Sequence, residues 1–239
     1  MLPGNADKNV AGKTACGLQL IMGINHRHSH GEQRMKIMAV IGSPRRGGNT
    51  AFLVEHVAKG AASRADIELD TLFIPEHNIR YCTGCLACTF PPPGTKTCPL
   101  PDDMPGILER MCACEAFVFG TPNHMRTVSA PLLTFLSRLL PLMEFVPDRD
   151  ADGRITGGGF TSRLSGRRAA IVISQGDPIF SSALVHAVLE RNLLDLDIRR
   201  VGDVISCGNM GPHDVRSKTE DIEKAFQLGV NLATMTGMR

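Results

Sequence analysis

The stretch MAVIGSPRRGGNT, residues 38–50, decides how this chain reads. An apolar run over 36–41 stops at a loop of small and polar residues, Gly42 to Asn49, and a helical pattern begins at Thr50. The near-continuous apolar character predicts a strand buried on both faces, as in a parallel sheet. Strand, loop and helix N-terminus in that order can hold a phosphate. The first turn of a helix leaves backbone N–H groups unpaired and carries a partial positive charge. Gly47 and Gly48 let the backbone approach an anion closely. Ser43, Asn49 and Thr50 add side-chain donors, and Arg45 or Arg46 adds charge. The glycine spacing fits neither G-x-G-x-x-G nor G-x-x-x-x-G-K-[ST], which disfavours a dinucleotide or a nucleoside triphosphate at this loop. The plain alternative is a glycine-rich βα turn without a ligand.

Outward from this stretch, strands are predicted over 67–74, 116–120, 169–174 and 201–205. The first of these nearly alternates and so reads as an edge strand. Helices are predicted over 50–63, 102–114, 129–140, 182–196 and 218–235. Asp102 and Asp103 serve as cap and first-turn acids of the second helix, and Ser129 with Pro131 opens the third. The polar, glycine-rich residues 146–167 predict a long surface loop or flap. The alternation of strand and helix implies an α/β fold with a parallel sheet, helices on both faces and right-handed crossovers. In such sheets ligands sit outside the carboxyl ends of the strands. Three loops converge there: Gly42–Asn49, Thr121–Arg126 and Gln175–Phe180.

The 239 residues suffice for one such domain, expected over 35–239, with residues 1–34 as a mobile extension. The His26–His30 cluster in that extension reads as a polar tail rather than a metal site. A net charge of +2 points to neither nucleic acid nor a membrane surface, and no apolar run approaches the ~18 residues of a membrane span. The apolar run 17–24 is followed by His26, Arg27, His28 and His30 in place of a small-residue cleavage site, so the protein reads as cytoplasmic. Trp is absent and Tyr81 is the one tyrosine, which is scarce for a protein that stacks bases or sugars on aromatic faces. Four of the eight cysteines, Cys82, Cys85, Cys88 and Cys98, lie close together at C-x2-C-x2-C-x9-C spacing. That clustering suits metal or redox use in a reducing compartment. Cys112 and Cys114 read as core residues, and Cys16 and Cys207 have no visible partner.

GSPRRGGNT after the first strand, CTGCLACT before the DDM-opened helix and FGTPNHMRTVSAPLLTFLSRL after the third strand together resemble the NAD(P)H-dependent FMN reductase and iron–sulfur flavoprotein families. The resemblance covers roughly residues 35–236. It implies a three-layer sandwich of flavodoxin-like fold, with a five-stranded parallel sheet in the order 2-1-3-4-5. It also implies FMN as cofactor, NAD(P)H as co-substrate and a homodimer that completes the flavin pocket. Carried over, Ser43, Arg45, Asn49 and Thr50 would hold the FMN phosphate, with Gly47 and Gly48 supplying backbone. Thr121, Pro122, Asn123, His124 and Met125 would line the isoalloxazine edge, and Gln175 and Gly176 would form a third wall. The chain departs from the family pattern at Asn123 and His124, where an apolar residue and Tyr are usual, and at Leu133 and Ser137, where Lys and Asp are usual. The four-cysteine run resembles the compact motif of iron–sulfur flavoproteins. Its thiolates can hold a [4Fe–4S] cluster, while zinc on the same ligands and reduced thiols without metal remain open.

The resulting expectation is an oxidoreductase that passes hydride from NAD(P)H to FMN and on to a small-molecule or protein electron acceptor. No residue stands out as an acid or base. The rival is a flavodoxin-like electron carrier without its own substrate. Carriers of that type are acidic and sandwich the flavin between aromatics, and this chain is neither acidic nor aromatic-rich. A redox sensor built on Cys82–Cys98 is a third reading.

Overall fold

The computed structural model describes residues 34–90 and 98–234. Nearly all of the expected N-terminal extension, with the His26–His30 group, falls outside them. In chain order the elements are β1 (Met35–Ile41), α1 (Asn49–Ala62), β2 (Ile67–Phe73), α2 (Met104–Cys112), β3 (Ala116–Pro122), α3 (Ala130–Leu136), β4 (Met143–Arg149), β5 (Ile155–Ser162), β6 (Arg168–Ser174), α4 (Ala183–Asp195), β7 (Arg199–Ser206) and α5 (Thr219–Thr234). Five strands form one parallel sheet in the order β2-β1-β3-β6-β7. With the β4–β5 pair set aside, this is the expected flavodoxin-like order 2-1-3-4-5, with β2 at an edge.

The pleat explains the three layers. Met38 and Val40 of β1 point to one face, where they pack with Met104 and Ile107 of α2, Leu132 and Phe135 of α3 and Leu189 of α4. Ile37, Ala39 and Ile41 point to the other and meet Leu53 and Val57 of α1 and Leu228 and Leu232 of α5. Successive residues therefore feed two cores, which is why the strand reads as an unbroken apolar run. On the second face α1 and α5 touch backbone to backbone. A Cβ on Gly60 would lie 1.9 Å from the Phe226 carbonyl oxygen, and one on Gly229 would lie 1.9 Å from that of Val57.

Three boundaries differ from the sequence reading. Residues 146–167 are not a loop or flap: β4 and β5 pair antiparallel as a hairpin, with Phe145 opposite Phe160. Pro147 and the Gly157–Gly159 run hide the strands from pattern reading. The pairing is made instead by contact between strands, with the two rings 5.4 Å apart, and by the bare backbone of Gly158, where a Cβ would meet the Phe145 ring at 2.5 Å. The second helix starts at Met104 because the Asp102 and Asp103 side chains turn back to accept from the Arg80 and Asn78 amides. The third helix ends at Leu136, and the chain continues as a 3-10 turn around Pro141.

Candidate functional site

The carboxyl ends of β1, β3, β6 and β7 enclose a cleft of about 190 Å³. The loop after β1 forms its floor. Gly48 is the N-cap of α1, no side chain caps that helix, and its first turn holds no acid. The leading N–H groups of α1 therefore face the cleft with the positive end of the helix dipole. A Cβ on Gly48 would lie 2.9 Å from the Arg45 Cβ, so glycine permits the tight return of the loop onto the helix. Ser43 Oγ accepts from the Arg45 amide at 3.2 Å. Thr50 Oγ1 and Ser174 Oγ, 2.7 Å apart, join the loop to the end of β6. The exposed Arg45 lines the cleft. Arg46 does not: its guanidinium pairs with Glu76 and lies over the Phe73 ring at 4.6 Å.

Asn49 reaches across the cleft. Its Nδ2 donates to the Gly211 carbonyl at 2.7 Å and its Oδ1 accepts from the Val215 amide at 3.2 Å. His213 Nδ1 lies 3.0 Å from the Gly47 carbonyl oxygen. The loop after β7 is thus bound to the loop after β1, a connection that sequence reading did not include.

The loop after β3 carries the opposite wall. Thr121 is fully buried. Its hydroxyl donates to the Pro122 carbonyl at 2.9 Å and accepts from the Ser129 amide at 3.0 Å, so it braces the wall from behind. Asn123 and His124 line the cleft. Beyond them His124 and Thr127 exchange backbone hydrogen bonds around Met125 and Arg126, whose φ angles are 51° and 67°. Two adjacent non-glycine residues in the left-handed region are strained, and such strain tends to sit at functional loops. Met125 points outward, 96% exposed, and Arg126 stacks over Phe180 of the next loop at 4.2 Å. Gln175 is spent on bracing: its Oε1 accepts from Asn123 Nδ2 at 2.9 Å, and its Nε2 donates to the Asp177 and Phe180 carbonyls.

Ten of the expected residues therefore line this one cleft: Ser43, Arg45, Gly48, Asn49, Thr50, Pro122, Asn123, His124, Gln175 and Gly176. Gly47, Thr121 and Met125 flank it without lining it. Sequence reading missed Ser174 and Asn209. The Gly-, Asn- and Pro-rich run SCGNMGPHD after the last strand was the available signal for Asn209, since every strand of a parallel sheet delivers a loop to the same end. Asn209 is buried, and its Oδ1 has no hydrogen-bond partner among the described residues. Uncapped helix N–H groups with Arg45 suit a phosphate, and a buried amide oxygen suits a hydroxyl-bearing chain. The donor set thus fits a phosphorylated polyol such as that of FMN.

The cysteine run lies apart from this cleft. Cys82 and Cys85 are exposed, and Cys88 and Cys98 are half-buried. Among the described residues no three His, Cys, Asp or Glu side chains converge closely enough to hold a metal ion. The two stems of the run are nonetheless fastened together. Arg138, just beyond α3, donates to the Arg80 carbonyl at 2.6 Å, to both oxygens of Asp102 and to Cys98 Sγ at 3.4 Å. Four thiols beside these tied stems have the chemistry of a cluster-ligand set. Burial pushes the Cys88 thiol up.

Burial also pushes the Cys114 thiol up to about 11, and its Sγ donates to the Arg110 carbonyl at 3.3 Å. Iodoacetamide at pH 8 should therefore modify the exposed Cys82 and Cys85 of iron-free native protein and leave Cys114 intact, as read by peptide mass mapping. Alkylation of Cys114 at the rate of Cys82 would contradict its buried, protonated state.

The family model described as NADPH-dependent FMN reductase matches residues 35–177. An iron–sulfur flavoprotein of Methanocaldococcus jannaschii is 27% identical over 199 residues, covering 83% of this chain and 96% of that protein. Among solved structures, the NAD(P)H:quinone oxidoreductase of Methanothermobacter marburgensis superposes with a TM-score of 0.60 at 16% identity, over 86% of this chain and 100% of that one. An FMN-dependent NADH-azoreductase of Bacillus anthracis, in complex with FMN, gives a TM-score of 0.58 at 12% identity, over 83% and 99% of the two chains. At those identities the two structures speak for the fold, while the family model spans more than half of the chain. The chain belongs to the NADPH-dependent FMN reductase family and is an NAD(P)H-dependent flavin oxidoreductase.

Proposed function

We propose that the cleft at the carboxyl ends of β1, β3, β6 and β7 holds FMN, and that the protein passes reducing equivalents from NAD(P)H to a small-molecule or protein electron acceptor. The observation that carries this reading is the uncapped N-terminus of α1 behind a glycine loop, with Ser43, Arg45 and Thr50 around it. When bound, FMN supplies the hydride chemistry. The chain supplies position and electrostatics. Arg45 and the first N–H groups of α1 neutralise the phosphate, and Asn49 anchors the loop that presents them. Asn123, held by Gln175, and His124 offer polar groups to the ring edge, with Thr121 bracing them and Met125 turned outward. Gly176 brings backbone close to the third wall.

No Phe, Tyr or Trp side chain is among the described residues lining the cleft. A carrier that buries its flavin between aromatic rings is therefore disfavoured, and an open ring face suits a nicotinamide. Cys82, Cys85, Cys88 and Cys98 are proposed as ligands of an iron–sulfur cluster, supported by the fastening of their loop and by the kind of donor. A homodimer is the proposed assembly, supported by the exposed apolar residues Val146, Ile155 and Phe160 of the β4–β5 hairpin. A reducing, cytoplasmic setting is proposed from the free thiols. No helix among the described residues is long and apolar enough to cross a membrane.

Anaerobic purification with a UV–visible spectrum and assays of iron and FMN tests these statements together. The expected protein is yellow, carries FMN, is bleached by NAD(P)H and turns NAD(P)H over steadily with an added acceptor. A colourless protein that fails to retain added FMN ends the flavin reading. Yellow protein without iron ends only the cluster reading.

A further inference from the structure

Among the described residues lining the cleft, Asn209 carries the buried side-chain atom that has no hydrogen-bond partner. It is 7% exposed and is held by the loop after β7, with its amide N–H donating to the Gln175 carbonyl at 2.9 Å. Its side-chain Nδ2 donates to the Ser206 carbonyl at 2.9 Å and to Ser206 Oγ at 2.8 Å. The Ser206 hydroxyl in turn donates to Asp221 Oδ2, at the start of α5, at 2.6 Å. These bonds fix which way the amide faces, because a flipped amide would set two carbonyl oxygens against each other. Oδ1 is left buried in the lining of the cleft, with no partner among the described residues. A buried carbonyl oxygen needs a donor, and a ligand group entering the cleft beside Asn209 can supply one.

We propose that Asn209 Oδ1 accepts a hydrogen bond from a secondary hydroxyl of the ribityl chain of FMN, so that the loop after β7 reads the polyol. This deepens the flavin reading of the cleft and rests on it. The chemistry selects among the three parts of the ligand. An ionised phosphate offers only acceptor oxygens, which an amide oxygen repels. The ring carries an N–H donor, but the ring wall is built by Asn123 and His124 on the loop after β3. Asn209 belongs instead to the loop that Asn49 ties to the phosphate floor through Gly211 and Val215. Between phosphate and ring only the polyol hydroxyls remain as donors. The amide oxygens of Asn49 and Gln175 are already taken, and the cleft hydroxyls of Ser43, Thr50 and Ser174 each have a partner, whereas Asn209 Oδ1 has none among the described residues. Asn209 is thereby a binding residue that favours flavins with a hydroxylated side chain.

The test is a two-by-two comparison. Apoprotein, wild type and Asn209→Ala, is titrated by fluorescence quenching with FMN and with an analogue that keeps the 5′-phosphate on an alkyl chain without secondary hydroxyls. The expected result is a loss of about tenfold in FMN affinity for Asn209→Ala, with the analogue bound equally by both proteins. Should Asn209→Ala not fold, Asn209→Ser takes its place, since its hydroxyl can still donate to Ser206. An unchanged FMN affinity overturns the proposal. So does an equal loss for FMN and analogue, which would mark a general loosening of the loop. Wild type that binds neither ligand refutes the flavin reading itself, a result distinct from either of these.

Discussion

Replacing Arg138 by Leu should cost the fold about 3–5 kcal/mol, the range for removing one partner of a buried ion pair. The Arg138 and Asp102 side chains are 1% and 0% exposed. Without the guanidinium, Asp102 keeps a buried charge supported only by the Arg80 and Met104 amides, and the Arg80 carbonyl loses its donor. Urea denaturation measures this as a lower midpoint at unchanged slope. Arg138→Lys should fall between the two, because an ammonium keeps the charge but cannot bridge Asp102, Arg80 and Cys98 at once. A loss under about 1 kcal/mol for Arg138→Leu would show that water reaches the pair and that the stems are not held by it.

The same pair gives a pH signature. Burial pushes the Asp102 carboxyl up, but hydrogen bonds from Arg138 and from the Arg80 and Met104 amides outweigh it and hold the carboxyl below the usual carboxylate range. A depressed folded pKa contributes stability that is fully present above the unfolded value, about 3.9, and is lost as pH falls through the folded one. Wild-type stability should therefore carry the full contribution of Asp102 near neutrality and lose it as pH falls below about 4, as read from urea midpoints across that range.

Gly229→Ala should destabilise by about 3 kcal/mol, at the upper end of the cost of overpacking. Alanine in an unhindered helix would gain up to about 1 kcal/mol over glycine, so the sign of the change is itself diagnostic. The new Cβ would sit 1.9 Å from the Val57 carbonyl oxygen, a backbone atom that cannot rotate away. Gly60→Ala probes the same crossing from α1, so the double variant should lose less than the sum of the two. Because the N-terminus of α1 lines the cleft proposed to hold FMN, pushing it off α5 should also weaken FMN retention. Wild-type stability in Gly229→Ala would mean that the two helices are not in backbone contact.

Much of this architecture was readable in the sequence because its periods are local. The unbroken apolar runs of β1, β3 and β6 announce a sheet covered on both faces, and the strand–loop–helix order after β1 announces a loop that opens at a helix N-terminus. What could not be read depends on partners far away in the chain. The β4–β5 hairpin is specified by Phe145 meeting Phe160 and Gly158, in strands whose own composition looks like loop. Arg138 reads as one more surface cation at a helix end until Asp102 and Arg80 are seen around it. Asp102 does accept from the Met104 amide at the start of α2, but its tie to Arg138 is hidden for the same reason. Gln175 lines the cleft and Thr121 stands behind its wall, and the side chains of both are consumed in bracing it. The roles of Ser174 and Asn209 emerge only once the strands lie side by side.

The bond pair from Asn49 to Gly211 and Val215 spans more than 160 residues of chain, with separations of 162 and 166. It therefore also sets the order of events during synthesis. A nascent chain that has emerged only through β3 already carries the glycine loop, but it has nothing to hold Asn49 and no β6 or β7 to wall the cleft. Closing so long a loop is a late step in folding, after the local strand–helix units have formed. The loop that appears first in the sequence should thus be among the last parts to be completed, and FMN is expected to load on the finished chain rather than on the growing one.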